Sequence, residues 1–308
     1  MHGAKPVVKP VLLAVALSCL GPFSARGQHY QPPGTKSGFV TTSDGVRIHY
    51  LEAGPRPPAG KARAILFVPG WTMPAEIWEH QIAYFGKTHR VVAMDPRSQG
   101  RSSQTTEGNF PEARARDIRA VVDKLGLAPA VLVGWSLGVK ELVAYVKQFG
   151  CDTVAGLVLV DGAAGLDQEP DLLRGTLDRF LRLQRDRPAE AARFVRGMYK
   201  KRQTPEYLDR ITRATLRTPT NTAVVLMLEY VASDFRPDLS KISRPTLILA
   251  AKGPHNDMME DMQRRIPHSR LEFMDGVGHA LFVDKSEEFN ALLDGFLRSL
   301  EPAAPAAR

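Results

Sequence analysis

Ser136 lies in Gly134-Trp135-Ser136-Leu137-Gly138, a G-x-S-x-G segment able to turn an ordinary hydroxyl into a nucleophile. The glycines answer a steric demand. A chain that doubles back from a strand into a helix around one residue leaves little room for Cβ atoms on its neighbours. Such a turn lifts the Ser136 hydroxyl clear of a sheet and sets it at a helix N-terminus. The backbone N–H of Leu137 can then face a developing oxyanion. The chemistry would be attack on an acyl carbon, provided a base takes the hydroxyl proton. An ordinary serine in a Gly-rich turn shows the same five residues, so the flanking elements decide.

Those elements suit the turn. Ala130-Val131-Leu132-Val133 is a continuous apolar run, as expected of a central parallel strand covered on both faces. Leu137 to Phe149 has helical periodicity through Leu142, Val143, Tyr145 and Val146 and stops at Gly150. Other segments repeat the alternation. Strands are expected at 38–42 and 46–51 around a Ser43-Asp44-Gly45 hairpin turn, and at 64–68, 91–95, 154–162, 245–251 and 270–274. Helices are expected at 74–85, 110–125, 258–266 and 286–300. Strands alternating with helices imply a mostly parallel twisted sheet flanked by helices, an α/β fold. Residues 163–242 break the rhythm. They hold helical segments near 171–184, 188–202, 205–216 and 220–233 and no convincing strand. That length far exceeds a βαβ crossover, so an inserted all-helical cap is expected there.

The 308 residues carry a formal net charge of +8 and an ordinary hydrophobic content of 44%. Lys5 and Lys9, the apolar run Val11–Leu20 and the small residues before Gln28 read as a cleaved signal peptide, 1–27, and hence export to the periplasm or beyond. Cys19, after Ala16-Leu17-Ser18, is an imperfect lipoprotein alternative. The apolar run is short for a span, so no stable membrane insertion is expected. Losing that segment removes three basic residues and no acid, taking the charge from +8 to +5. The basic residues around 182–202 lack interleaved aromatics and read as wet helix faces, so no nucleic-acid partner is expected. Cys151 would be the one cysteine of the mature chain, excluding an internal disulfide. No HExxH, P-loop or dinucleotide fingerprint occurs, and no metal or cofactor is expected. The domain plan is a flexible lead-in at 28–37, a core of 38–162 and 243–300, the cap at 163–242 and a disordered tail at 301–308.

These pieces together resemble the α/β-hydrolase superfamily, over about 38–300. The likeness rests on the Ser136 segment, on Val68-Pro69-Gly70-Trp71, on Asp95-Pro96-Arg97-Ser98-Gln99-Gly100-Arg101-Ser102 and on Gly278-His279-Ala280-Leu281-Phe282. The branch it suggests is that of capped esterases, lactonases and non-haem haloperoxidases. The resemblance implies Ser136 as nucleophile and His279, late in the chain, as general base. It implies an oxyanion hole from the amides of Trp71 and Leu137. Pro69 stands where many relatives have histidine, but the donor is backbone. The acid has two candidates. Asp161, at a strand end, occupies one site used in the family and is preferred. Asp257 lies three residues beyond the usual position, which Pro254 fills, and could instead be a helix N-cap. The resemblance implies that Asp95 and Arg97 shape their loop. His49, mid-strand, reads as structural. Trp71 and Trp135 are expected to line an apolar pocket.

The function this implies is an exported serine hydrolase acting on a small or medium carboxylic ester or lactone. Perhydrolysis at the same residues and C–C bond hydrolysis are the alternatives. A non-catalytic binding protein is a further one, disfavoured because both Ser136 and His279 are present.

Overall fold

A computed structural model describes residues 29–56 and 63–300. The expected signal peptide, the expected tail and residues 57–62 lie outside the described residues. The residues from Gln31 onward group into one unit. Eight strands build one sheet: β1 (Lys36–Thr41), β2 (Arg47–Ala53), β3 (Ile65–Val68), β4 (Val91–Met94), β5 (Ala130–Trp135), β6 (Val154–Val160), β7 (Thr246–Ala251) and β8 (Ser269–Met274). Their order is β1-β2-β4-β3-β5-β6-β7-β8. β1 and β2 pair antiparallel, and so do β2 and β4. Every other pairing is parallel. The fold is therefore the expected α/β sheet with β5 near its centre. The expected lead-in ends earlier than 37, because Lys36 and Ser37 already pair with Glu52 and Leu51.

The helices are α1 (Glu79–Phe85), entered through a 3-10 turn at Ala75–Trp78, α2 (Pro111–Leu125), α3 (Leu137–Phe149), α4 (Pro170–Arg185), α5 (Arg187–Gly197), α6 (Pro205–Thr215), α7 (Thr220–Ala232), α8 (Asn256–Arg265), α9 (Leu281–Asp284) and α10 (Ser286–Ser299). The pleat of β5 divides the core. Ala130 and Leu132 pack in one apolar cluster with α2, α3 and α8, whereas Val131, Val133 and Trp135 pack in another with α1 and α10. Burial on both faces is what an unbroken apolar strand requires.

Helices α4 to α7 are the insertion between β6 and β7. Leu183, Ala223 and Leu226 from it share a third apolar cluster with Trp71 and Leu137 at the sheet edge. Polar ties supplement that packing. Trp71 Nε1 donates to Ala223 O at 2.8 Å. Lys140 Nζ, on α3, donates to the carbonyls of Tyr230 and Ser233 at 2.6 and 2.5 Å. Burial pushes the Lys140 ammonium down to about 8.

Candidate active site

Ser136 joins β5 to α3 with φ 56° and ψ −116°. A non-glycine residue held there is strained, and the flanking packing pays for it. A Cβ on Gly134 would lie 2.6 Å from Gly138 O, and one on Gly138 would lie 2.8 Å from Val68 O. The two glycines are thus required by close approach, since strand, turn and helix touch through backbone at both positions. Ser136 N donates to Val160 O at 2.9 Å, which locks the turn to the neighbouring strand.

The His279 loop is clamped from three sides. Gly278 N donates to Asp284 Oδ2 at 2.7 Å, Ala280 N to Met198 O at 3.0 Å, and Trp135 Nε1 to His279 O at 2.9 Å. A Cβ on Gly278 would meet Met198 O at 2.5 Å. Asp284 also accepts from the amides of Lys200 and Lys201, so one carboxylate binds the histidine loop to the insertion.

Asp161 follows β6 with φ 42°. Its Oδ1 accepts from Ala251 N at 2.9 Å, and its Oδ2 lies 2.7 Å from His279 Nδ1. A carboxylate only accepts, so His279 Nδ1 carries the proton of that bond and Nε2 keeps its lone pair. Ser136, His279 and Asp161 line one cavity of about 850 Å³, together with Trp71 and Leu137. Among the described residues Ser136 Oγ has no hydrogen-bond partner. Such bonds in ligand-free sites are commonly long and tighten with substrate. The amides of Trp71 and Leu137 likewise donate to no acceptor among the described residues, and both residues are buried. Both residues line the cavity with Ser136, and an unspent backbone N–H is the kind of donor an oxyanion needs.

The other expected residues fall elsewhere. Asp257 lies within the first turn of α8, not at its N-cap, because the helix begins at Asn256 with His255 as cap. Asn256 Oδ1 accepts from Gly253 N, which draws the helix start back. Asp257 lines a separate cavity of about 330 Å³ with Asp261, Arg264 and Arg265. Trp135 is a correction. It is 1% exposed and lies behind His279, its ring 5.0 Å from the imidazole and 5.0 Å from Phe282. It supports the histidine through the bond to His279 O and is not among the residues lining the cavity. Trp71 does line the cavity.

Asp95 accepts from Ala75 N, from Arg101 N and from His49 Nδ1. Arg97 forks onto both oxygens of Asp117 at 2.7 and 2.6 Å. Both are buried, and neither lines the cavity. Residues invisible to local motif reasoning complete the wall. Met227 and Tyr230 come from α7, and Phe194 from α5. Burial pushes the Tyr230 phenol above its ordinary value, so it stays protonated. The signal that could have found them was only the apolar periodicity of the insertion. Among the described residues no group of three or more His, Cys, Asp or Glu side chains could hold a metal ion. No described helix is long and apolar enough to cross a membrane.

Comparison with known proteins agrees with this architecture. A family model described as "Alpha/beta hydrolase family" matches residues 65–292. A bifunctional esterase/perhydrolase of Acinetobacter calcoaceticus is 42% identical over 130 residues, which are 42% of this chain and 46% of that protein. A non-heme chloroperoxidase of Streptomyces lividans is 27% identical over 281 residues, covering 85% of this chain and all of the other. The solved structure of an esterase from Exiguobacterium antarcticum superposes with a TM-score of 0.78 at 22% identity, over 84% of this chain and 98% of that one. That last likeness concerns the fold.

Proposed function

The chain belongs to the alpha/beta hydrolase family, in its esterase and haloperoxidase-like branch, and on that premise we propose that it hydrolyses small or medium carboxylic esters or lactones through an acyl-enzyme on Ser136. The observation that carries the reading is the meeting at one cavity of residues that follow four strands, β3, β5, β6 and β8. The strained Ser136 turn, the Asp161–His279 pair and the two unspent amides all line it.

The steps follow from the groups present. Ser136 Oγ adds to the carbonyl carbon while its proton passes to His279 Nε2. The carbonyl oxygen takes the negative charge and is held by the N–H groups of Trp71 and Leu137. Asp161 keeps the ring in the productive tautomer and stabilises the imidazolium. The bond from carbon to the alkoxy oxygen then breaks, and that oxygen leaves with the proton from Nε2. A water adds to the acyl-enzyme by the reverse sequence, its proton going to Nε2 and on to Ser136 Oγ as the acid departs.

The test is a p-nitrophenyl butyrate assay. Wild type should release p-nitrophenol with a stoichiometric initial burst, and Ser136→Ala should not, with its circular dichroism unchanged. Retained turnover in Ser136→Ala would remove the nucleophile from this reading.

The name of the Acinetobacter relative favours one second reading, in which hydrogen peroxide replaces water at the acyl-enzyme and a peracid leaves. Product analysis with added peroxide separates the two outcomes. We also infer that residues 1–27 direct export. The chain without them should fold and stay soluble. Insolubility relieved only by detergent would instead indicate an anchor.

A further inference from the structure

The arginines of the insertion outnumber the carboxylate they surround. Glu190 is 3% exposed. Its Oε2 accepts from Arg182 Nε at 3.2 Å and from Arg193 Nη1. Arg179 Nε stands 3.8 Å from its Oε1, outside hydrogen-bond range. Arg187 also lies within the field of Glu190, yet its Nε and Nη1 are buried with no acceptor among the described residues. One guanidinium would neutralise this carboxylate, and a second could satisfy its remaining lone pairs. Here three stand within 4 Å of it, and a fourth, Arg187, lies in its field while donating through Nη2 to Thr215 O at 3.2 Å.

The surplus faces the cavity. Arg179 and Arg182 line the wall, as do Lys200 and Lys252. Of the two carboxylates on that wall, Asp161 is engaged by His279, leaving Asp171. Arg179 makes no hydrogen bond among the described residues, although a guanidinium carries five donors. Its Cζ stacks 5.8 Å from the Phe194 ring, whose edge packs 4.8 Å from Trp71. The guanidinium, ion-paired to Glu190 through Nε but without a hydrogen bond among the described residues, is therefore two ring contacts away from the Trp71 indole. Arg187 Cζ lies 5.9 Å from the other side of that contact, over the Trp71 ring. Burial pushes the Arg179 guanidinium below its ordinary value, Glu190 offsets part of that, and Arg182 adds to it. An incoming anion would relieve both effects.

We infer that Arg179 is a substrate-binding residue, receiving a carboxylate carried by the ester or lactone at the end remote from the scissile bond. This rests on the hydrolase function proposed above. The substrate class is then half-esters of dicarboxylic acids and lactones bearing a free carboxylate. A planar fork matches a carboxylate bidentately. Phe194, Met227 and Leu166 on the same wall suit a hydrocarbon linker between the two ends.

Two esters that differ by one terminal carboxylate test it: mono-p-nitrophenyl glutarate and p-nitrophenyl butyrate. Wild type should favour the anionic ester in kcat/KM by about tenfold or more at low salt, and added sodium chloride should shrink that preference. Arg179→Gln should lower the ratio about tenfold, through KM for the anionic ester, and Arg179→Lys should restore part of it. A ratio equal in wild type and Arg179→Gln, or a wild type that prefers the neutral ester, would overturn the proposal. Calorimetric binding of glutarate decides the matter without turnover. Heat in wild type that Arg179→Gln abolishes supports the anion site even if neither ester is cleaved, in which case the hydrolase reading alone falls. Absence of glutarate binding to wild type counts against the site itself.

Discussion

Two serine–histidine–aspartate groupings stand in this molecule, and the less promising one has the better hydrogen bonds. On the antiparallel edge of the sheet, Ser37 Oγ lies 2.8 Å from His49 Nε2, and His49 Nδ1 lies 2.7 Å from Asp95 Oδ2. At the C-terminal ends of the parallel strands, His279 Nδ1 lies 2.7 Å from Asp161 Oδ2, and Ser136 Oγ is unengaged. What differs is what surrounds each group. His49 and Asp95 are 2% and 3% exposed in their side chains, while His279 and Asp161 are 31% and 19% exposed. Ser37 also accepts from the Arg101 guanidinium, and Asp95 spends its remaining capacity on the amides of Ala75 and Arg101. Every group in the edge set is consumed by holding β1, β2 and the Asp95–Ser102 loop together. In the cavity set, Nε2, the hydroxyl and two amides carry no hydrogen bond among the described residues. The function proposed here thus places reactivity with unspent hydrogen-bonding capacity beside a cavity, not with a chain of short contacts.

The contrast can be broken by exchanging effects between the two groups. His279→Ala should lower ester turnover by about a millionfold, measured as kcat with p-nitrophenyl butyrate. A comparable loss in Ser37→Ala, which should leave kcat unchanged, would erase the distinction. Asp161→Asn should lower kcat by about ten-thousandfold, because the amide favours the wrong tautomer. Asp257→Asn should stay within about twofold, and the reverse pattern would transfer the acid to α8. Asp95→Asn should act on stability. Three donors would face one amide, at a cost of about 3 kcal/mol in urea unfolding. A kcat loss without that destabilisation would make the edge group functional. Trp135→Phe should show the smallest effect. Losing the bond to His279 O is worth about 1 kcal/mol, so kcat/KM should fall by less than about tenfold.

Much of this was legible in the chain itself, and the exceptions have identifiable causes. The turn at Ser136 was legible because an apolar run, two glycines and a helical period coincide within twenty residues. The four insertion helices were legible from period and from Pro or Gly at their ends. Trp135 was assigned to the pocket because it adjoins the nucleophile. The pleat alone contradicts that, since Trp135 shares a face with Val131 and Val133, and those residues pack under α1 and α10. The start of α8 shifted because Asn256 caps back to Gly253, a bond that no spacing rule announces. The cavity wall contributed by Arg179, Phe194 and Met227 was legible only as apolar periodicity in the insertion, not residue by residue. Its members lie on three different helices, and only tertiary packing brings them to one wall.

The most direct measurement is the reaction of the intact protein with a fluorophosphonate, with the modified residue mapped by mass spectrometry. One adduct per chain on Ser136, none on Ser37, and a rate collapsing in His279→Ala is the expected result. A wild type that stays unlabelled, an adduct on Ser37, or labelling of Ser136 as fast without the imidazole would contradict a hydroxyl activated by His279.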